Sequence, residues 1–181
     1  FKGGEKLIRE LSVKSYHDSL FVSHHIEGHW YKLDDPMNLE IHISSSPKFY
    51  FAAPVKVFTK DTFRSSRFFI DFKSFCEINV TLNVTECLIF APYDSFGNFV
   101  INGKCEQAAF YTSGSTLFRA EGLEVNYCFV RQNSISEVYL GEPAQLSVLF
   151  CSSGNVICKK IPQNLSIQRK GIYATGQINP N

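Results

Sequence analysis

The chain has 181 residues, 18 Lys plus Arg against 17 Asp plus Glu, and a formal net charge of +1, enough for one large domain or two small ones. That near-neutral balance, with cations scattered and none denser than Lys159-Lys160, excludes the concentrated basic face of a nucleic-acid binder. No window holds eighteen consecutive apolar residues, which excludes a membrane-spanning helix in this segment.

The chain opens Phe1-Lys2-Gly3-Gly4. A start other than Met predicts a processed chain or an excised segment, with any signal or anchor outside it. Lys6–Leu11 could form one short helical turn. Beyond it no segment sustains apolar residues at i, i+3, i+4 and i+7 over three turns. Strand signals replace them: β-branched and aromatic runs broken by Gly, Pro, Asn, Asp or Ser. They predict strands over 18–24, 28–33, 38–44, 48–58, 67–73, 76–90, 98–103, 107–112, 116–119, 123–131, 136–140, 144–151, 155–160 and 164–174. Asp94–Asn98, Tyr111–Thr116 and Ser152–Asn155 read as hairpin loops. Turn signals every 8–12 residues fit a β-sandwich or a barrel. No internal repeat is evident. The chain reads as one all-β domain over 1–181, with a weak possible boundary near 75, where the cysteines begin.

The early segment His24-His25-Ile26-Glu27-Gly28-His29 holds the one cluster of candidate metal ligands. If it is extended, His25, Glu27 and His29 share a face, and His with carboxylate suits zinc. It is not His-Glu-x-x-His, and Gly28 opposes the helix that motif needs. A polar strand face or turn is the preferred reading, so no metal or other cofactor is expected. No Gly-x-Ser-x-Gly and no phosphate-binding glycine loop occurs, and Asp34-Asp35-Pro36 is a turn rather than a spaced acid/base pair. No enzyme is expected.

Phenylalanine is abundant, 17 residues against one Trp and one Met, and Phe63, Phe68, Phe69, Phe72 and Phe75 crowd together. Phe68 and Phe69 are adjacent, so in a strand they face opposite ways. Either both sides are covered or one ring is exposed, and an exposed ring marks an interface. Both are interface candidates.

Cys76–Phe90 is the most informative run. Ile78, Val80, Leu82 and Val84 alternate with Glu77, Asn79, Thr81, Asn83 and Thr85, a period-two pattern that sends the two sets to opposite faces. The sequons Asn79-Val80-Thr81 and Asn83-Val84-Thr85 fall on the polar face, where a glycan meets solvent. Asn164-Leu165-Ser166 is a third sequon. Asn79, Asn83 and Asn164 are therefore expected glycosylation sites.

The six cysteines form no Cys-x-x-Cys pair, and their spacing suits three disulfides better than a metal. Cys151 and Cys158 flank the Ser152–Asn155 turn, and a hairpin there would pair them. Cys76, Cys87, Cys105 and Cys128 leave three pairings open. Cys76 and Cys87 have opposite parity, so they would need a bulge or turn to meet.

Gly28-His29-Trp30-Tyr31 resembles the Gly-x-Trp signature on the first strand of lipocalins. That resemblance implies an eight-stranded barrel carrying a small apolar ligand in its mouth.

Together these features predict an antiparallel β-sandwich with extra hairpins, with an up-and-down β-barrel as the alternative. The expected role is that of a secreted or surface glycoprotein domain, on a cell, virus or parasite. It would act in binding or assembly through a protein or glycan partner, through neighbouring domains or by self-association. A lipocalin-like carrier is the alternative, and a metal-assisted hydrolase using His25 and His29 a distant third.

Overall fold

The computed structural model describes residues 11–16, 19–24, 38–43, 46–93 and 95–181. The chain falls into two compact units, 1–44 and 45–181. In the first, β1 (Leu11–Tyr16) and β2 (Ser19–His24) pair antiparallel, Leu11 opposite His24 and Tyr16 opposite Ser19. Residues 39–43 are not strand. The expected strand 28–33 and the Gly28–Tyr31 signature lie outside the described residues.

The second unit corrects the expected sandwich and barrel. Its strands are β3 (Lys48–Phe51), β4 (Val55–Phe58), β5 (Phe63–Phe72), β6 (Phe75–Phe90), β7 (Phe96–Ser134), β8 (Val138–Leu140), β9 (Gln145–Phe150), β10 (Val156–Cys158), β11 (Asn164–Arg169) and β12 (Ile178–Pro180). Every pairing between different strands of this unit is parallel. Phe49 pairs with Ile70, Ile70 with Ile89 and Ile89 with Phe110, offsets of 21, 19 and 21 residues. Val130 then pairs with Val148 and Val148 with Ile167, offsets of 18 and 19. Each strand thus bonds to the strand one full coil later. The fold is a β-solenoid of about 6 turns. Alternation and turn spacing are the same in a hairpin and in a coil; only the direction of the bend differs. Here each bend wraps the chain onward around the core instead of returning it beside itself.

The inward residues form columns. Ile70, Ile89, Phe110, Val130 and Val148 line one wall, and Ile78, Phe99, Phe118, Val138 and Val156 line another, all buried. Across the interior Phe72 packs on Phe99 at 4.6 Å between ring centroids, and Phe99 stacks on Phe118 at 4.7 Å. Side chains therefore fill the space that a lipocalin-like carrier would keep for a ligand.

The three expected hairpin loops stack as one corner of the coil. Gly114 lies against the carbonyls of Tyr93 and Ser95, and Gly154 against those of Ser134 and Ser136. This corner contains all five buried polar residues among the described ones: Ser95, Thr112, Thr116, Gln132 and Ser134. A bend breaks the ladder and strands its carbonyls, so each needs a donor. Gln132 donates through Nε2 to Ser136 O at 2.7 Å and accepts from the Thr112 hydroxyl, while the Ser134 hydroxyl donates to Gly114 O at 2.9 Å.

The last rung closes the same corner. Arg169 Nη1 donates to Ala174 O at 2.9 Å and to Gly176 O at 2.7 Å, and its guanidinium lies 4.9 Å from the Phe150 ring centroid. An inward cation on a terminal strand also discourages further strand pairing. Replacing Arg169 by Ala removes two charge-assisted bonds and should cost about 2 kcal/mol. The Gly176 amide, bonded to Ser152 O at 3.3 Å, should lose hydrogen-exchange protection while amides of β6 keep theirs. Equal protection in variant and parent would contradict this account.

Candidate functional site

The wall formed by the second half of β5 and β6, parts of β7, and β9 carries aromatic and aliphatic residues on its outer side as well. Two outward rows run along the coil axis. One is Tyr50, Asp71, Phe90, Tyr111, Arg131 and Leu149; the other is Lys48, Phe69, Leu88, Ala109, Phe129 and Ser147, the step within β7 being placed by the Tyr111–Phe129 ring contact and the Thr112 hydroxyl's bonds to Arg131 O and Gln132. Their rings form a chain. Tyr50–Phe69 centroids are 5.8 Å apart, Phe69–Phe90 5.4 Å, Phe90–Tyr111 4.2 Å and Tyr111–Phe129 5.6 Å. Parallel, in-register coils place like positions one strand spacing apart, about 4.8 Å, which is why outward aromatics stack. The Lys48 ammonium lies 5.7 Å from the Phe69 centroid.

Phe68 and Phe69 do part company. Phe68 is 2% exposed in the core, and Phe69 sits half-buried in the outer chain of rings. The sequon asparagines Asn79, Asn83 and Asn164 are all exposed. Ile78, Val80, Leu82 and Val84 are buried between them.

The cysteines overturn the expected disulfides. All six are free thiols, and all but Cys151 are buried. The Ser152–Asn155 turn carries the chain from β9 into β10 on a different wall, so it does not form the hairpin that would bring Cys151 to Cys158. The neighbours of Cys158 lie a coil away, at Leu140 and Pro180. Cys76 and Cys87 both point inward because the parity slips at a second corner, where Val84 pairs with Cys105 and Glu86 with Gln107 while Thr85 is skipped. Burial raises the thiol pKa of Cys76 and Cys105 to about 12 and of Cys158 to about 11, with the Glu77 carboxylate adding to the effect at Cys76. Burial also pushes Cys87 and Cys128 well up.

An open groove of about 820 Å³ runs over that second corner. Asn83, Glu106, Glu121, Glu124, Glu142 and Lys159 are among its lining residues. Lys104 Nζ pairs with Glu124 Oε2 at 2.7 Å, and Lys159 Nζ donates to Glu121 O at 3.1 Å. None of its lining residues is a histidine, and all five histidines precede residue 43. His25, Glu27 and His29 lie outside the described residues. Among the described residues no group of three or more His, Cys, Asp or Glu is placed to hold a metal ion, and no helix is long and apolar enough to cross a membrane.

The outer rows went unread in the sequence beyond Phe69. The signal for them was aromatic residues at outward parity in successive coils, visible only once the coil length is known.

No protein-family profile and no curated protein sequence matches the chain. Among solved structures it is similar to a crystal structure of a candidate adhesin from Bacteroides fragilis, with a TM-score of 0.72 at 14% identity, over 98% of this chain and 79% of that one. At that identity the likeness establishes the fold alone: a chain of stacked parallel coils, where a sandwich or barrel was expected.

Proposed function

We propose that this chain is a non-catalytic binding and assembly module that works outside the cell or on its surface, and that the outer rows centred on Phe69 contact a protein partner. The observation that carries this reading is the chain of rings from Tyr50 to Phe129 on the outside of a rigid coil. An outward aromatic row contributes nothing to the core, and large apolar strips on a surface mark interaction sites. A protein suits it better than a glycan. Phe90 and Tyr111 stack with planes 10° apart, so one face of each ring is already covered by the other, whereas a sugar needs a free ring face.

The extracellular setting draws support from the exposed sequons and from the adhesin-named structural neighbour. The cysteines no longer contribute to it.

A photo-cross-linking amino acid placed at Phe69, in the cells that make the protein, tests the reading. Phe58, exposed on another wall, is the control position. A protein adduct at 69 and none at 58 is expected. No adduct at 69, or equal adducts at both, would sink the reading. Phe69→Asp should leave the far-ultraviolet circular dichroism of the chain unchanged. Phe68→Asp should unfold it, since an unpaired carboxylate in the core costs several kcal/mol.

A further inference from the structure

We infer that the partner of the outer aromatic face is a second copy of this chain, bound face to face about a two-fold axis lying along the strands. This rests on the binding reading above and names its partner.

The order of residues along the two rows carries it. An axis along the strands, set between the rungs of Phe90 and Tyr111, reverses the order of rungs in the second copy and keeps each row opposite itself. Phe90 then meets Tyr111 of the other copy, and Leu88 meets Ala109. One rung further out Phe69 meets Phe129. At the same level Asp71 meets Arg131, twice by symmetry. The outermost pairs are Tyr50 with Leu149 and Lys48 with Ser147. The rungs follow from the strand registers and, within β7, from the contacts of Tyr111 and Thr112 with Phe129, Arg131 and Gln132. Apart from the polar Lys48–Ser147 pair at the rim, apolar residues meet apolar ones, and the acid and the base in the facing row meet each other.

Asp71 and Arg131 form no ion pair with any described residue of their own chain, although other outward carboxylates do. Arg67 bonds Glu86 at 2.6 Å and Lys56 bonds Glu77 at 2.8 Å. A two-fold interface must be self-complementary, and charges of opposite sign equidistant from the axis are what such an interface requires. Exchanging either sign would place like charges together at two points.

The size of the face sets the working range. Six rungs span roughly 24 Å at about 4.8 Å spacing, and a strip that long and two outward residues (about 14 Å) wide covers roughly 350 Å² a side, the size of a weak, transient interface. Association is therefore expected to be weak, on the order of tens of micromolar.

Sedimentation equilibrium of the full chain tests the inference. The parent should show a monomer–dimer equilibrium. Asp71→Arg and Arg131→Asp should each weaken it by at least tenfold, on the order expected when close charge pairs become repulsive. The double variant carrying both changes should restore it to within about threefold. Circular dichroism checks that each variant is folded. A parent that stays monomeric at about 100 μM, a double variant no tighter than the singles, or growth into open-ended polymers would each overturn the dimer. A monomeric parent with a cross-link at 69 to a different protein rejects the dimer and keeps the binding reading. A monomeric parent with no cross-link rejects both.

Discussion

Gly103→Ala should destabilise the protein by about 2–5 kcal/mol, a large fraction of the roughly 5–15 kcal/mol that holds a domain together. Gly103 has φ +104°, and a Cβ there would lie 2.0 Å from the carbonyl oxygen of Leu82 on the preceding coil. Two costs add. A side chain at positive φ costs on the order of 1–2 kcal/mol. The clash is with backbone, which cannot swing aside as a side-chain tip can, so the rung-to-rung ladder itself must shift, at a further cost of about 1–3 kcal/mol. Urea unfolding followed by circular dichroism measures the sum. The chain carries its own control at Gly171, with φ +98° and nothing within 4 Å of the place a methyl would occupy. Gly171→Ala should show the conformational cost alone, about 1 kcal/mol. If the two variants cost the same, contact with the neighbouring coil is not what Gly103 exists to avoid.

That glycine shows how much of the fold was legible in the sequence. Strand content, the inward set Ile78, Val80, Leu82 and Val84, and the opposed Phe68 and Phe69 follow from period-two alternation, which is a local property of the chain. The corner segments Asp94–Asn98, Tyr111–Thr116 and Ser152–Asn155 were also recognisable as bends. What local chemistry does not encode is where a bend sends the chain. A hairpin and a solenoid corner both use Ser, Gly and Asn, for the same backbone reasons.

The coil length would have decided between them, but it drifts. Phe49, Ile70, Ile89 and Phe110 are successive occupants of one inward column at offsets of 21, 19 and 21 residues, and Val130, Val148 and Ile167 follow at 18 and 19. Packing needs only an apolar side chain of suitable size at each level, so residue identity drifts as well, and no fixed period stands out. The even cysteine count misled for a related reason. Small apolar residues suit the inside of a narrow coil, and free Cys is one of them. Cys87, Cys128 and Cys158 are fully buried there with no covalent role. The candidate surface was the least legible part. Tyr50, Phe90, Tyr111 and Phe129 are far apart in sequence and become one row only through the coil.

Under native conditions Cys151 alone should react readily with a thiol reagent, and the other five should be slower by at least a thousandfold. Two effects protect them, and the larger is access. A pKa of about 12, as at Cys76 and Cys105, cuts the thiolate fraction at pH 8 by roughly three powers of ten from that of an ordinary thiol, though the more basic thiolate is intrinsically more nucleophilic and recovers part of that. Buried sulfur must also wait for the coil to open. An opening free energy of about 4–6 kcal/mol slows labelling by roughly 10³–10⁴ and leaves the thiol ordinary once exposed, so access sets the rate. Denaturant without reductant should then release all six thiols, and a titre below six would mean that disulfides form after all. The same burial predicts alkaline instability. A thiol whose pKa is raised in the folded state keeps its proton there while the unfolded chain loses it, so the stabilisation is complete below the unfolded value of about 8.5 and is lost as pH climbs through the folded values. For the fully enclosed Cys87 and Cys128 the loss approaches about 1.4 kcal/mol per pH unit each. Cys158, Cys76 and Cys105 add to the fall up to about pH 11–12. Urea midpoints should therefore hold steady from pH 6 to 8 and fall steeply above 9, and a Cys87→Ala, Cys128→Ala variant should show a shallower fall.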